Sequence, residues 1–196
     1  MLFRTLAVSL LALSTAVLGT PVELAERNNV PSSSSSGPTP PQLKWLYTAY
    51  AYCPADVLKG LLTPAGIRKA IPIIGGNFTG PGINGKFRED AVGADWGTVD
   101  PRTGIFTADT RYNGITDDGA DIYFQTSGPK SPNGDLHLRI KLETGSAKYY
   151  WLNNVVAVGV LHNMGHDDKN VSTLRIDAYN FANDWNTTTF LNNTGW

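Results

Sequence analysis

The sequence contains a single cysteine, Cys53, in 196 residues. Small secreted domains are commonly held together by disulfide bonds, and one cysteine excludes a disulfide within the chain. Stability must therefore come from the hydrophobic core and from closing a sheet on itself. We interpret Cys53 as a buried apolar thiol, with pairing to another chain as the alternative.

The chain also lacks an excess of charge and, beyond its N-terminus, a long apolar run. It carries 16 Lys and Arg against 17 Asp and Glu, without a long run of either sign. This balance excludes the basic surface expected of a nucleic-acid-binding protein. No segment reaches the roughly 20 apolar residues of a membrane-spanning helix, so no membrane partner is expected. No pattern assigns an oligomeric state.

The N-terminus has the pattern of an export signal. Arg4 precedes an apolar stretch, 6–18, that ends in small residues. This arrangement predicts a signal peptide over residues 1–19 and therefore a secreted, extracellular protein.

The remaining chain divides by composition. Residues 20–42 are rich in Ser and Pro, which is typical of a propeptide or flexible tether. Residues 43–182 form the predicted domain, and 183–196 form a C-terminal tail. Predicted glycosylation sites are the four Asn-x-Ser/Thr sequons at Asn77, Asn170, Asn186 and Asn192.

The domain shows strand periodicity throughout. In its first segment the alternation places two sets of side chains on opposite faces of a strand: Trp45, Tyr47, Ala49 and Ala51 on one face, and Leu46, Thr48, Tyr50 and Tyr52 on the other. Further strand segments are 67–78, 84–88, 104–115, 120–127, 136–143, 154–162 and 172–181. One short helix is expected at 148–153. The pattern predicts an all-β fold, an antiparallel sheet curled into a barrel or sandwich.

Glycine-containing pairs mark the turns between these segments. Glycine adopts positive backbone angles at least cost, which tight hairpins require. Hairpin turns are predicted at Asn84-Gly85, Asp118-Gly119, Asn133-Gly134 and Met164-Gly165. Asn113-Gly114 is a candidate β-bulge.

Several short motifs occur in one order along the domain. They are the run 71–81 (IPIIGGNFTGP), Gly93-Ala94-Asp95-Trp96, Arg111-Tyr112, the run 116–120 (TDDGA), the run 149–153 (YYWLN) and Val158-Gly159. Taken together, over about 43–181, they resemble the domain of unknown function 3237 family.

The resemblance implies a single antiparallel β-barrel, similar to the calycin class, with a mouth or interior able to hold a small molecule. Some members of the family resemble parts of fungal secondary-metabolite pathways that influence cyclisation of polyketide-like intermediates. This chain departs from the simplest members in its signal peptide, tether and sequons. An extracellular or vesicular role is therefore expected in place of a cytosolic one.

Asp95 and Trp96 are the first candidates for chemistry. A carboxylate beside an indole could act as a general base, with the ring forming an apolar wall and burial raising the acid's pKa. The alternative is structural: Asp95 accepts backbone hydrogen bonds at a turn while Trp96 fills the core.

A second group of candidates surrounds the predicted strand 104–115. Asp118 belongs first to a hairpin turn, but facing the barrel mouth it could form an acid–base pair with Asp95. Arg111 and Tyr112 alternate across the strand, so only one can point inward as a ligand-binding residue. An inward Arg111 could pair with Asp95 or an anionic ligand, whereas an outward one would be a surface residue.

The aromatic run before Asn153 supplies further candidate ligand-binding residues, Trp151 and Asn153 itself. A buried amide could hold a ligand carbonyl or stabilise an enolate. The alternative is that Tyr149, Tyr150 and Trp151 are core residues that plug one end of the barrel.

No metal or cofactor is expected. His162 and His166 are four apart, but the intervening Met164-Gly165 predicts a turn in place of a helix, and no further His or Cys completes a zinc site. Motifs for a serine nucleophile or a phosphate-binding loop are also missing.

Two functional hypotheses remain open. The first is a secreted barrel that binds, and isomerises or cyclises, a small hydrophobic or aromatic metabolite by acid–base chemistry without a cofactor. The second is a non-catalytic secreted carrier or interaction glycoprotein. Both expect a small-molecule or surface partner, and whether the protein is an enzyme is left open by the sequence.

Overall fold

The structure is a computed structural model that describes residues 37–38, 40–54 and 60–181. These residues form thirteen strands and one short helix. The strands are β1 Leu43–Pro54, β2 Leu61–Thr63, β3 Gly66–Arg68, β4 Ile71–Ile73, β5 Gly75–Gly80, β6 Ile83–Phe87, β7 Gly93–Asp95, β8 Thr98–Val99, β9 Phe106–Thr116, β10 Asp121–Pro129, β11 Leu136–Glu143, β12 Ala157–His166 and β13 Val171–Phe181. The helix is a 3₁₀ helix, Tyr150–Asn154.

Eight of these strands close into an antiparallel barrel. Their order is β9-β10-β11-β12-β13-β1-β5-β6, and β6 pairs back onto β9. Closure leaves the backbone groups of these strands paired on both sides and removes sheet edges. The predicted all-β, single antiparallel barrel with one short helix is confirmed. Among the described residues, no helix is long and apolar enough to cross a membrane.

The two ends of the barrel differ. The helix end carries the 3₁₀ helix and the β9–β10 turn. At the opposite end, which we call the insertion end, β7 pairs with both β4 and β9. Strand β4 leads into β5 beside the end of β1, where the Ile74 N–H donates to the Tyr52 carbonyl at 2.9 Å. Thus β4 and β7 continue the wall between β1 and β9 beyond β5 and β6.

The barrel interior is filled by aromatic rings. Their centroids lie 4.8 to 5.9 Å apart, and Tyr112 stacks on Phe124. The rings belong to Tyr47, Phe78, Phe87, Tyr112 and Phe124. A Cβ at Gly114 would lie 2.8 Å from both Phe78 and Phe124, so the missing side chain leaves room for these rings. The middle of the barrel is therefore packed core.

Two of the predicted turns are correct and two are wrong. Gly119 and Gly134 have φ of 91° and 101°, as tight turns at these positions require. Asn84-Gly85 lies inside β6, where Gly85 packs on Phe78 and β9. Met164-Gly165 lies at an irregularity within β12, and the turn follows at 167–170. Asn113-Gly114 pairs in regular register and is not a bulge.

A register shift in β1 changes which side chains reach the core. The pairing of β1 with β13 shifts between Trp45 and Tyr47. Both Leu46 and Tyr47 are consequently buried, while Trp45 is 47% exposed. The predicted faces of Trp45 and Leu46 are thus wrong, whereas Tyr47, Ala49 and Ala51 share one face as expected, and the structure shows that this face is buried.

Close packing of β10 on β11 makes Gly128 a sensitive position. A Cβ there would lie 1.8 Å from the His137 carbonyl oxygen, which is backbone and cannot swing away. We expect Gly128→Ala to lower the free energy of unfolding by about 3 kcal/mol in urea denaturation. Gly145→Ala is the matched control because no atom lies within 4 Å of its added Cβ. Equal losses in both variants would contradict this packing.

Candidate functional site

Asp95 faces the inside of the barrel at the insertion end. In the pairing of β7 with β9, Asp95 lies opposite Thr110. Directly opposed residues on antiparallel strands project to the same face, and Thr110 is buried. Asp95 itself remains partly exposed. Its carboxylate therefore lies between the packed interior and solvent.

Backbone and side-chain donors hold the Asp95 carboxylate in place. Its Oδ1 accepts the Asp109 N–H at 2.8 Å, and the Gly97 N–H and Thr110 hydroxyl also interact with it. Burial raises the pKa of Asp95 because it disfavours the charged form, and these donors offset only part of the shift. The structural alternative for Asp95 therefore fits these hydrogen bonds, whereas its second part is wrong, since Trp96 is exposed and does not fill the core.

Two threonines extend a polar row from Asp95 across neighbouring strands. Thr110 on β9 lies opposite Thr126 on β10, and both side chains are buried. Two residues deeper along β9, Tyr112 points into the core while its neighbour Arg111 points outward. The row gives an otherwise apolar interior a line of hydroxyl groups that begins at Asp95.

Cys53 lies across the same end of the barrel. Its thiol is free and buried, and its charge would interact with both Asp95 and Tyr112. Burial, with a smaller contribution from Asp95, raises the pKa of Cys53 to about 12. The thiol is therefore neutral and a poor nucleophile at neutral pH. The interpretation of Cys53 as a buried apolar thiol agrees with this placement.

Trp96 and Arg111 lie outside this interior site. The Trp96 side chain is 51% exposed, and its backbone N–H donates to the Asp109 carbonyl at 2.9 Å. The Arg111 guanidinium pairs with the Asp109 carboxylate at 3.0 Å on the outer face. Trp96 therefore does not form the predicted apolar wall beside Asp95 on the inner face. Tyr112 points into the barrel, and Arg111 points outward.

Asp118 lies at the helix end, away from Asp95. Its carboxylate accepts hydrogen bonds from Lys148 at 2.5 Å, Thr116 at 2.6 Å and Tyr149 at 2.9 Å. Thr116 lies six residue steps along β9 from Thr110, the partner of Asp95, which corresponds to about 20 Å along a strand. The structure therefore does not bring Asp95 and Asp118 together as an acid–base pair.

The aromatic run forms a plug at the helix end. Leu152 and Tyr149 are buried, and Trp151 packs partly buried against the core. The Asn153 amide holds the adjoining loop: its Oδ1 accepts the Thr144 N–H, and its Nδ2 donates to the Thr144 and Tyr150 carbonyls. The structural alternative thus fits Tyr149 and Trp151 but is wrong for Tyr150, which is 38% exposed. The Asn153 amide is committed to the loop.

A family model described as "Protein of unknown function (DUF3237)" matches residues 41–138 of this chain. The chain belongs to this family. The matched part of the barrel includes Cys53, Asp95, Thr110, Tyr112 and Thr126.

Named relatives and solved structures of similar fold extend this finding. The chain is 31% identical over 137 residues to the hydroalkoxylation enzyme phnH of Penicillium herquei. The alignment covers 66% of this chain and 80% of that protein. A β-barrel-like protein from Acinetobacter baumannii shares 34% identity with a TM-score of 0.60, over 74% of this chain and 98% of that one. An enzyme from Penicillium herquei, solved as a crystal structure, shares 28% identity with a TM-score of 0.57, over 74% and 98%. These likenesses support a small-molecule-binding or catalytic barrel.

Within the described residues, no group of three or more His, Cys, Asp or Glu side chains is arranged to hold a metal ion. His162 instead contacts Asp135, with 2.8 Å between His162 Nδ1 and Asp135 Oδ1, on the outer surface. The candidate site therefore consists of the Asp95 carboxyl, the Cys53 thiol and the hydroxyls of Thr110 and Thr126.

The predicted glycosylation sites fall in different settings. Asn77 is exposed on the outer face of β5, which is paired on both sides. Asn170 is exposed in the turn before β13 and has φ of 63°. Asn186 and Asn192 lie outside the described residues, as does the predicted signal peptide.

Sequence reasoning missed Tyr47, Thr110 and Thr126 as parts of the site. Tyr47 shares its inward face with Ala49 and Ala51, and Thr110 and Thr126 fall at the same alternation as Tyr112 and Phe124. Period-two alternation along these strands would have placed the side chains of all three residues inside the barrel. Their proximity to Asp95 depends on β7 pairing with β9, which local periodicity does not indicate.

Asp118 provides a test of the helix end through the pH dependence of stability. Hydrogen bonds from Lys148, Thr116 and Tyr149 hold the pKa of Asp118 well below its usual range. A lowered pKa in the folded state stabilises the protein above the unfolded pKa of about 4, and this is lost as the pH falls further. We expect Asp118→Asn to lower Tm near neutral pH, with the difference from the unmodified protein closing below about pH 4.

Thermal melts followed by circular dichroism between about pH 2 and pH 7 measure this difference. Asp117→Asn removes the same charge from an exposed neighbour whose side chain makes no hydrogen bond or ion pair with the described residues. It should leave Tm nearly unchanged. A Tm difference for Asp118→Asn that stays constant across the range would argue against these contacts.

Proposed function

We propose that the barrel is an enzyme that binds a small hydrophobic or aromatic metabolite at its insertion end and cyclises or isomerises it by proton transfer at Asp95. The observation that carries the proposal is the position of Asp95. It is an inward-facing, partly exposed carboxyl with a raised pKa at the edge of an apolar core. Catalytic carboxyls are commonly tuned by burial in this way.

The likeness to a hydroalkoxylation enzyme supports a defined reaction class. Hydroalkoxylation adds an O–H group across a carbon–carbon double bond. One C–O bond and one C–H bond form, while the O–H bond and the π bond break, so the product is an isomer when both groups belong to one molecule. No oxidant or reductant is consumed. The protein must supply a proton to carbon and accept one from oxygen.

A single carboxyl can perform both transfers in turn. Protonated Asp95 donates its proton to the alkene carbon, and the resulting carboxylate accepts the proton of the attacking hydroxyl. A raised pKa keeps the acid protonated closer to neutral pH than an exposed aspartate would be. The Asp109 N–H fixes the carboxyl at 2.8 Å and stabilises its charged form when the proton leaves.

Apolar side chains at the insertion end offer a surface for the body of such a molecule. Ile71, Phe106, Leu161 and Leu174 are partly buried and pack against the core. Partly exposed apolar groups gain free energy when a ligand covers them, and polar groups among them orient the ligand. The site thus suits a compact apolar molecule with few polar atoms.

Asp95→Asn tests the catalytic role. The amide oxygen can still accept the Asp109 N–H, but the side chain can neither donate nor accept the catalytic proton. With 2-allylphenol as probe, we expect formation of its cyclic ether to fall by about 100-fold or more. In D₂O the unmodified protein should place one deuterium on carbon, as followed by mass spectrometry. Its rate should also decrease as the pH rises through the raised pKa of Asp95.

Asp90→Asn is the matched control, since this exposed carboxylate pairs with Arg88 on the surface. Its rate should remain close to that of the unmodified protein. Equal rates for Asp95→Asn and Asp90→Asn would overturn the catalytic assignment.

Non-catalytic carriage of the same kind of ligand is the second candidate function. It is favoured by the separation of Asp95 from Asp118, which leaves Asp95 without the partner carboxylate that was predicted. A carrier should bind 2-allylphenol reversibly and return it without deuterium. Binding should then persist in Asp95→Asn.

We also propose that the protein is exported and glycosylated, on the evidence of residues 1–19 and the sequons. Asn170, in an exposed turn, is more accessible to modification than Asn77 within a paired strand. Expressed as the full chain in a fungal secretory host, the protein should reach the medium with residues 1–19 removed. Asn170→Gln should reduce the mass shift caused by glycosidase treatment, whereas retention in cells with an intact N-terminus would contradict export.

A further inference from the structure

Two tyrosine hydroxyls in the barrel interior have no hydrogen-bond partner among the residues that the structure describes. They belong to Tyr47 and Tyr112, whose side chains are 0% and 2% exposed. The Thr126 hydroxyl lies near the Tyr112 hydroxyl but does not meet hydrogen-bond geometry with it. Buried polar groups in native proteins are nearly always paired, because an unpaired one loses its interaction with water and gains nothing. Two such hydroxyls in one core therefore require an explanation.

The two hydroxyls belong to one cluster that extends towards Asp95. Tyr47 and Tyr112 both contact the ring of Phe124. Tyr112 lies two residues from Thr110 on the inward face of β9, and Thr110 lies opposite Asp95 in the pairing with β7. The cluster therefore runs from the centre of the barrel to the carboxyl at the insertion end. The partly exposed Leu161 and Leu174 lie at that end and mark the side from which a ligand would enter.

The surroundings of the cluster suit an aromatic ligand. Tyr112 stacks on Phe124 at 5.2 Å between ring centroids and meets Phe87 edge to face at 4.8 Å. Tyr47 meets Phe124 edge to face at 5.9 Å. These rings pack against one another, and a ligand ring that entered among them would make the same stacked and edge-to-face contacts. Burial raises the pKa of both tyrosines, so both hydroxyls are neutral and able to donate.

We propose that the hydroxyls of Tyr47 and Tyr112 form the polar end of the ligand site and donate hydrogen bonds to one oxygen of the ligand. This inference rests on the proposed function and names its substrate class: an aromatic compound whose ring carries a conjugated carbonyl or phenolate oxygen. With that oxygen at the two hydroxyls, the rest of the molecule extends towards Asp95, and the packed rings beside the hydroxyls move apart to admit it. Neutral donors aimed at an oxygen also stabilise negative charge that develops on it during proton transfer.

Acetophenone and ethylbenzene test the site directly, because they have similar shapes and only acetophenone carries an acceptor oxygen. We expect the unmodified protein to bind acetophenone about tenfold more tightly than ethylbenzene in ligand-observed NMR titrations. The ¹³C resonance of the acetophenone carbonyl should move downfield when it accepts the tyrosine hydrogen bonds. Tyr112→Phe and Tyr47→Phe should each reduce this preference and this shift.

The same tyrosine substitutions that reduce the preference for acetophenone should increase the thermal stability of the protein. Removing an unpaired buried hydroxyl relieves a cost, so we expect the Tm of Tyr112→Phe to rise by about 3 °C. Tyr149→Phe is the matched control because Tyr149 is also buried, but its hydroxyl donates to Asp118 at 2.9 Å at the helix end. Its Tm should fall, and its preference for acetophenone should equal that of the unmodified protein.

The outcomes separate this inference from the proposed function. An unchanged acetophenone preference in both tyrosine variants would overturn the inference, as would a fall in their Tm, which would show that buried water already satisfies the hydroxyls. Loss of the preference in Tyr112→Phe together with an unchanged reaction rate in Asp95→Asn would support the tyrosine site and overturn the catalytic proposal instead.

Discussion

Strand β9 hydrogen-bonds to β10 along one edge and to β6 and β7 along the other, and this double pairing closes the barrel. Closure gives the chain one enclosed interior without a disulfide. It also fixes which residues can meet. Asp95 reaches the interior only because β7 pairs with β9 at the insertion end, and Asp118 is kept from it because its turn lies at the other end of the same strand.

Aromatic packing and the candidate site depend on each other. The rings of Phe87, Tyr112 and Phe124 fill the middle of the barrel, which leaves the insertion end as the place where polar groups and partly exposed apolar groups coincide. The two unpaired tyrosine hydroxyls lie within this packing. A fold selected only for stability would replace them with phenylalanine, since an unpaired buried hydroxyl is costly. Such local costs are typical of functional sites.

The two ends of the barrel thus differ in role. At the helix end Asp118, Lys148 and Tyr149 form a satisfied polar network over a hydrophobic plug, and Asn153 secures the adjoining loop. At the insertion end the Asp95 carboxyl is held in one orientation, and burial raises its pKa. The likeness to a hydroalkoxylation enzyme agrees with our proposal that Asp95 at this end transfers protons.

Local signals in the sequence were enough to predict several elements of the fold. Period-two alternation marked most of the barrel strands, glycine pairs marked the turns at Gly119 and Gly134, and the motifs indicated the family. The tertiary structure alone decided the bulge that buries Leu46, the burial of Gly85 within β6, and the separation of Asp95 from Asp118. These depend on strand register and on distances between residues far apart in the chain, which alternation within one strand does not encode.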